Sequence, residues 1–317
     1  MALKDVVGHE RPIGMLRHAL RAGRLSTSYI FAGESGIGKK LAALNFAKLL
    51  NCLAGEEDAC DECPSCRKIN SGVHMDVLVV EPETAEIKVD QVRDANSTLY
   101  LKPHEGRMKV VIVDDAEAMN EEAANAFLKT IEEPPPQSMI ILVSANPEGL
   151  PATVLSRCMR VNFRPLTPAE TETVLKRHGT GGEALVRLSM GRPGIALKGD
   201  LLEERAGFLA QLKEMQRPGS KSLWKDRDEM AAWFDFCMAL MRDVVVHKLT
   251  GGTEALINKD IEQEIRQISG KAKAETLIER FDMLKRLRQN LRFNLNKAIT
   301  WNYAGTILRG ALVLGRQ

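Results

Sequence analysis

The stretch that most constrains this chain is Tyr29-Ile30-Phe31-Ala32-Gly33-Glu34-Ser35-Gly36-Ile37-Gly38-Lys39-Lys40. The apolar run Tyr29–Ala32 reads as a buried strand. Gly33-x4-Gly38-Lys39 reads as a tight glycine loop, and the residues from Leu41 onward as a helix. In that setting the glycines let backbone N–H groups turn onto phosphate oxygens. The helix N-terminus adds partial positive charge, and Lys39 reaches the outer phosphates. The next position ordinarily carries Ser or Thr, whose hydroxyl holds Mg²⁺. Here it is Lys40. Charges of one and two about 4 Å apart, in an effective dielectric of about 20, repel by about 8 kcal/mol. That is an upper limit, because the side chain can swing away. The loop therefore predicts a nucleotide-binding type of domain whose binding of ATP or ADP is weak or absent.

Four more apolar runs follow the first: Val77–Val80, Val110–Val113, Met139–Val143 and a weaker Met159–Phe163. Each is short and rich in β-branched residues, and none alternates with polar residues. Such runs suit strands covered on both faces in a parallel sheet. Helical patterns separate them at about 39–51, 88–100, 120–132 and 150–156, which predicts a doubly wound α/β domain over 1–165. At Pro165 the strand pattern stops. Thr167-Pro168-Ala169-Glu170 carries a helix-start signature, and short helical segments broken by Gly179–Gly182 and Gly191–Gly194 predict a small helical domain over 166–200. From 201 to 317 the pattern is helical throughout, with breaks at Pro218-Gly219 and Gly251-Gly252.

The chain has 317 residues, a net charge of +2 and 44% hydrophobic residues. This is a globular composition, and bulk charge makes no case for nucleic acid. No apolar run approaches the roughly 20 residues of a membrane helix. Met1–Asp5 has no signal-peptide apolar region, so a cytoplasmic protein is expected. In that compartment Cys52, Cys60, Cys63 and Cys66, within fifteen residues, favour metal over disulfides. Four thiolates suit tetrahedral Zn²⁺ in a closed, structural site, with an iron–sulfur cluster as the alternative.

Val110–Val113 ends in Asp114-Asp115. At such a strand end the first acid binds Mg²⁺ and the second, normally Glu, polarises the attacking water. Asp115 is one methylene shorter than that Glu. Asn146, after the next strand, is placed either to meet a γ-phosphate or to cap the helix near Pro147. Arg157, in Ser156-Arg157-Cys158, is either a solvated surface charge or a fork of donors for a neighbouring subunit's phosphate. The six histidines lie scattered and read as structural. Residues 271–317 carry ten Lys/Arg and three Asp/Glu. They read either as a DNA path or as helices packing against sibling subunits, the latter suggested by Leu284, Leu287, Leu291 and Leu295.

With these residues in view, the chain resembles bacterial clamp-loader proteins of the AAA+ class, and among them the delta-prime type of DNA polymerase III subunit. The resemblance rests on Val7–Glu10, the Gly33–Lys39 loop, the four-cysteine module, Ile87–Arg93, Val113–Met119, Ala123–Pro134 and Ser156–Cys158. It implies a hetero-pentamer that opens a ring-shaped sliding clamp and places it on primed DNA using ATP. Its neighbours would be gamma/tau-like motor subunits and a delta-like subunit. It implies a lid domain at 166–200 and a helical collar at 201–317. It further implies that the delta-prime type does not hydrolyse ATP and lends the arginine of Ser-Arg-Cys, here Arg157, to an adjacent motor site. Lys40, Asp115 and Gly194 depart from the motor pattern. Gly33, Gly36, Gly38, Lys39, Lys40, Asp114, Asp115 and Asn146 would then line a degenerate nucleotide site. The competing expectations are an active motor ATPase and a zinc-containing DNA-binding protein.

Overall fold

A computed structural model describes all residues except 56, 84, 85, 218, 272, 294, 310, 311 and 313–317. The Pro218 part of the expected break therefore lies outside the described residues. The chain divides into two compact units. One is Met1–Gly179 with Gly191–Ile195, and the other is Thr180–Met190 with Ala196–Gln317. Residues 166–200 divide between them.

The first unit is built on five parallel strands: β1 (Ser28–Ala32), β2 (Val77–Val80), β3 (Lys109–Val113), β4 (Ser138–Ser144) and β5 (Met159–Asn162), in the order β2-β3-β4-β1-β5. The absence of polar alternation now has its reason. Tyr29, Phe31, Val110, Ile112, Met139 and Ile141 enter one core layer. Their neighbours Ile30, Ala32, Val111, Val113, Ile140 and Leu142 enter the other. Each face is therefore apolar at a period of two. The first layer is covered by α1 (Glu10–Arg21) and α2 (Lys39–Asn51), and α3 (Pro64–Asn70) packs beside α2. The second layer is covered by α4 (Val89–Leu99), α5 (Glu121–Glu132) and the short α6 (Ala152–Leu155). The expected start of α7 (Pro168–Arg177) is a full capping box: Thr167 Oγ1 accepts from Glu170 N, and Glu170 accepts from Thr167 N at 2.7 Å.

The second unit is all helix: α8 (Glu183–Ser189), the end of α9 (Pro193–Lys198), α10 (Leu201–Met215), α11 (Arg227–Thr250), α12 (Glu262–Lys271), α13 (Ala274–Asn290) and α14 (Lys297–Leu308). Gly251 ends α11 in the left-handed conformation, as the Gly-Gly break predicts. The helix also breaks before Ala274 and before Lys297, where the sequence pattern shows no break. Trp224, Trp233 and Trp301 meet edge to face or stacked at its centre. Leu284 and Leu291 are buried in this same core, and Leu287 and Leu295 pack against it. The leucine stripe is therefore spent on the unit's own interior, not on a face left for sibling subunits. Part of the basic excess is likewise engaged at home. Arg288 forks onto Asp235 at 2.9 and 3.1 Å, and Lys297 donates to the Lys225 carbonyl. No helix among the described residues is long and apolar enough to cross a membrane.

Ile141 sits in β4 between β3 and β1 and is fully buried. Ile141→Ala should destabilise the protein by about 2–5 kcal/mol, the range for an isoleucine cavity in a packed core. Urea unfolding should show this as a lower midpoint at unchanged slope.

Candidate nucleotide site and cysteine centre

All five strands run the same way, so the residues that follow them converge on one end of the sheet. These are Gly33 after β1, Glu81 after β2, Asp114 after β3 and Ala145 and Asn146 after β4. This is where open α/β sheets bind ligands. At Gly33 the backbone passes so close to β5 that a Cβ would fall 2.5 Å from the Phe163 carbonyl oxygen. Gly38, left-handed, is the N-cap of α2. His9 fastens the loop from beneath, with Nε2 2.8 Å from the Ile37 carbonyl and its ring edge-on to Phe163. Gly36 meets the loop that opens α9. Gly194 N donates to Gly36 O at 2.8 Å, and a Cβ on residue 194 would fall 2.8 Å from that same oxygen. Glycine at residue 194 is therefore required by packing in this chain.

Lys39 is buried, and its ammonium donates to the Glu34 carbonyl at 2.7 Å. Burial lowers its pKa, with Glu117, Asp114 and Asp115 opposing the shift. Lys40 points elsewhere. Its Nζ bonds the Glu81 carboxylate and lies 3.4 Å from Asp114 Oδ2. The lysine thus sets its ammonium between two carboxylates, one after β2 and one after β3. Asp115 is exposed and takes a left-handed backbone, φ +50°. Asn146 heads a 3₁₀ turn (Pro147–Gly149) but makes no side-chain cap bond, so the capping alternative is not realised.

Two residues of this site escape the sequence analysis. Glu81 follows β2, and nothing local in the sequence says that β2 lies beside β3. Glu117 accepts from Ala145 N at 2.8 Å and Asn146 N at 3.1 Å, tying the end of β4 to the turn after β3. Its place within the Val113–Met119 motif was the one signal that could have marked it.

Arg157 lies between α6 and β5, at the start of the strand. The register pairs Tyr29 with Met159, so Arg157 and the glycine loop stand at opposite ends of the sheet. Four residues of strand at about 3.3 Å each already put roughly 13 Å between Met159 and the level of Gly33, and Arg157 lies in the turn before Met159, beyond the reach of one side chain. The guanidinium is partly exposed. Nε pairs with Glu132 at 2.8 Å, and Nη1 donates to the Thr153 carbonyl at 2.9 Å. Burial pushes the neighbouring Cys158 thiol up to about 12.

The sulfur atoms of Cys52, Cys60, Cys63 and Cys66 all lie within 4.8 Å of one another. A zinc tetrahedron with bonds of about 2.3 Å has edges of about 3.8 Å, so this donor set fits with slight contraction. Cys52 ends α2 and Cys63 caps α3. Backbone N–H groups already face the sulfurs: Gly55 and Cys60 donate to Cys52 at 3.1 and 3.3 Å, and Cys63 donates to Cys60 at 3.3 Å. Burial opposes ionisation at Cys52 and Cys63, yet backbone donors carry both thiols below their ordinary range (Cys60 and Gly55 N at Cys52, Cys66 and Leu53 N at Cys63), while burial pushes Cys66 up. The module also gathers the start of the chain, since Asp58 accepts from Leu3 N at 3.0 Å and Lys4 N at 2.9 Å.

A family model described as DNA polymerase III, delta subunit, matches residues 8–167, about half of the chain. The delta' subunit of Pseudomonas aeruginosa is 32% identical over 293 residues, covering 86% of this chain and 88% of that protein. The chain belongs to the DNA polymerase III delta-prime family of clamp-loader subunits. The delta' subunit of Bacillus subtilis is 28% identical over 302 residues, with 90% and 92% covered. The tau subunit of the same organism is 27% identical over 339 residues; the match takes in 95% of this chain but spans 60% of that relative's length. The glycine loop, the paired acids and Ser156–Cys158 all fall inside the matched residues.

Burial lowers the pKa of His9 and of His74, which bridges Ser65 and Asp76 N. The unfolded chain then protonates first, at its ordinary value near 6.5. Stability is full above that pH and falls as pH drops through it toward the lower folded values. Thermal melts should show this loss. His9→Gln, which keeps an N–H for the Ile37 carbonyl but cannot titrate, should flatten the slope. An unchanged slope would remove His9 from the account.

Proposed function

We propose that this chain is a non-hydrolysing, delta-prime-like subunit of the DNA polymerase III clamp loader. It supports ATP-driven loading of a sliding clamp onto primed DNA, with turnover in neighbouring subunits. Its partners are gamma/tau-like motor subunits and a delta-like subunit in a cytoplasmic hetero-pentamer; the clamp and DNA are met through the complex. Residues 1–165 serve as the AAA+ domain, 166–200 as its lid and 201–317 as the collar. The observation that carries this reading is the Lys40 ammonium, bonded to Glu81 and 3.4 Å from Asp114. A divalent ion has to displace that charge before it can reach the acid, and hydrolysis at this kind of site runs through the ion. The motor-ATPase reading keeps intact Lys39 and Asp114 and the similarity to tau in its favour. Steady-state ATPase of the purified chain discriminates: turnover like that of a motor subunit overturns the proposal.

Arg157 is the residue we assign to the assembly's chemistry. It stands too far from its own loop to act there, while its fork of donors suits the charge that develops on a neighbour's phosphate. Such fingers contribute roughly 10³ to 10⁵ in rate at their site. In a complex with several sites, Arg157→Ala should cut clamp-stimulated ATPase partially and clamp loading more severely, with assembly preserved. Wild-type rates in both would return Arg157 to the surface.

The four cysteines fit Zn²⁺, which would supply a closed structural cross-link between the end of α2 and the start of α3. Elemental analysis of protein purified without chelator should find about one zinc per chain. Cys63→Ser should lower that content, and Cys158→Ser or Cys237→Ser should leave it unchanged. Iron and a brown colour would instead identify a cluster.

A further inference from the structure

The loop that cannot serve Mg²⁺ still carries two cations in different states. Lys39 is 6% exposed and makes no ion pair among the described residues; its one partner is the Glu34 carbonyl. The carboxylates of Glu117, Asp114, Asp115 and Glu34 act on this ammonium through their charge, and none of them pairs with it directly. It lies behind a loop whose glycines at 33, 36 and 38 all hold positive φ, the conformation that lets successive N–H groups face one way. Lys40, one residue on, is anchored by Glu81 beside Asp114. Its charge therefore stands on the same acid a divalent ion would use, fixed to the chain and needing no free ion. Glu81 matters because it stops the long side chain from swinging into water, where it would serve neither role.

We infer that the Gly33–Lys40 loop takes a nucleoside di- or triphosphate in its metal-free form, with the Lys40 ammonium standing in for the divalent ion. Lys39 supplies the counter-charge behind the loop, and Lys40 neutralises the outer phosphates from the Asp114 side. The polyphosphate enters with no metal and is not hydrolysed, because no ion is present to activate water or to carry charge off the leaving group. The bound nucleotide thus acts as a fixed structural anion of this subunit. The inference rests on reading Gly33–Lys40 as a phosphate loop within the function proposed above. It does not depend on Arg157 or on the assembly.

Magnesium dependence of binding tests it. Fluorescently labelled ADP and ATP are titrated against the full chain in excess EDTA and again in excess Mg²⁺, with wild type and Lys40→Thr compared. Thermal melts verify that the variant is folded. Wild type should bind in EDTA and lose about tenfold in affinity when Mg²⁺ is added, since the metal complex brings a cation against Lys40. Lys40→Thr should reverse the sign, binding more tightly with Mg²⁺ than without. Wild-type binding that is strengthened by Mg²⁺ overturns the inference and leaves the phosphate loop standing. Binding by Lys40→Thr alone also overturns it, because Lys40 would then block the site instead of completing it. Absence of binding by both proteins in both conditions overturns the phosphate-loop reading itself, while the role of Arg157 is decided separately by the reconstituted complex.

Discussion

The first unit depends on burying a parallel sheet on both faces. Five strands that run the same way cannot join through hairpins, so each must be followed by a crossover that returns over one face. Helices on both sides then supply the apolar cover that residues such as Ile112 and Ile140 need. A fully buried side chain of this size contributes about 1.5–3 kcal/mol, so the two layers together hold the scaffold rigid. The chemistry follows from that constraint. Since every strand ends on the same side, Gly33, Glu81 and Asp114 meet without any of them being near another in sequence.

Different parts of this architecture were unequally legible in the sequence. The strands could be read because a strand buried on both faces leaves a continuous apolar run. The glycine loop could be read because its geometry is local, confined to eight residues between one strand and one helix. The four cysteines could be read because thiolate ligands sit at short spacings. Glu81 could not, because its role depends on β2 lying beside β3, and strand order is a non-local property. Glu117 was hidden for the same reason, since its partners Ala145 and Asn146 lie on the far side of a helix and a strand. Leu284 to Leu295 were legible as an apolar face, but not which surface the face would meet; their own unit's core claims them.

Lys40 shows why one substitution can alter a site more than the loss of a ligand would. A small apolar residue there would leave Asp114 free for other contacts. Lysine supplies a charge of the opposite sign on a stem long enough to reach two carboxylates, so the acids remain held in place around an ammonium.

The contact between Gly36 and Gly194 bears on how such a protein can change over evolutionary time. A side chain at residue 194, arginine included, has no space until the glycine loop moves, because its first carbon would press on the Gly36 carbonyl. Lys40 and Asp115, by contrast, are not closed in this way: the first is only part-buried and the second exposed. The three positions are thus not equally open to substitution: residues 40 and 115 can be exchanged one at a time, while residue 194 waits on a concerted backbone shift. A side chain at residue 194 carries with it the cost of moving the whole glycine loop, so the effect of a change there is larger than a count of altered residues suggests.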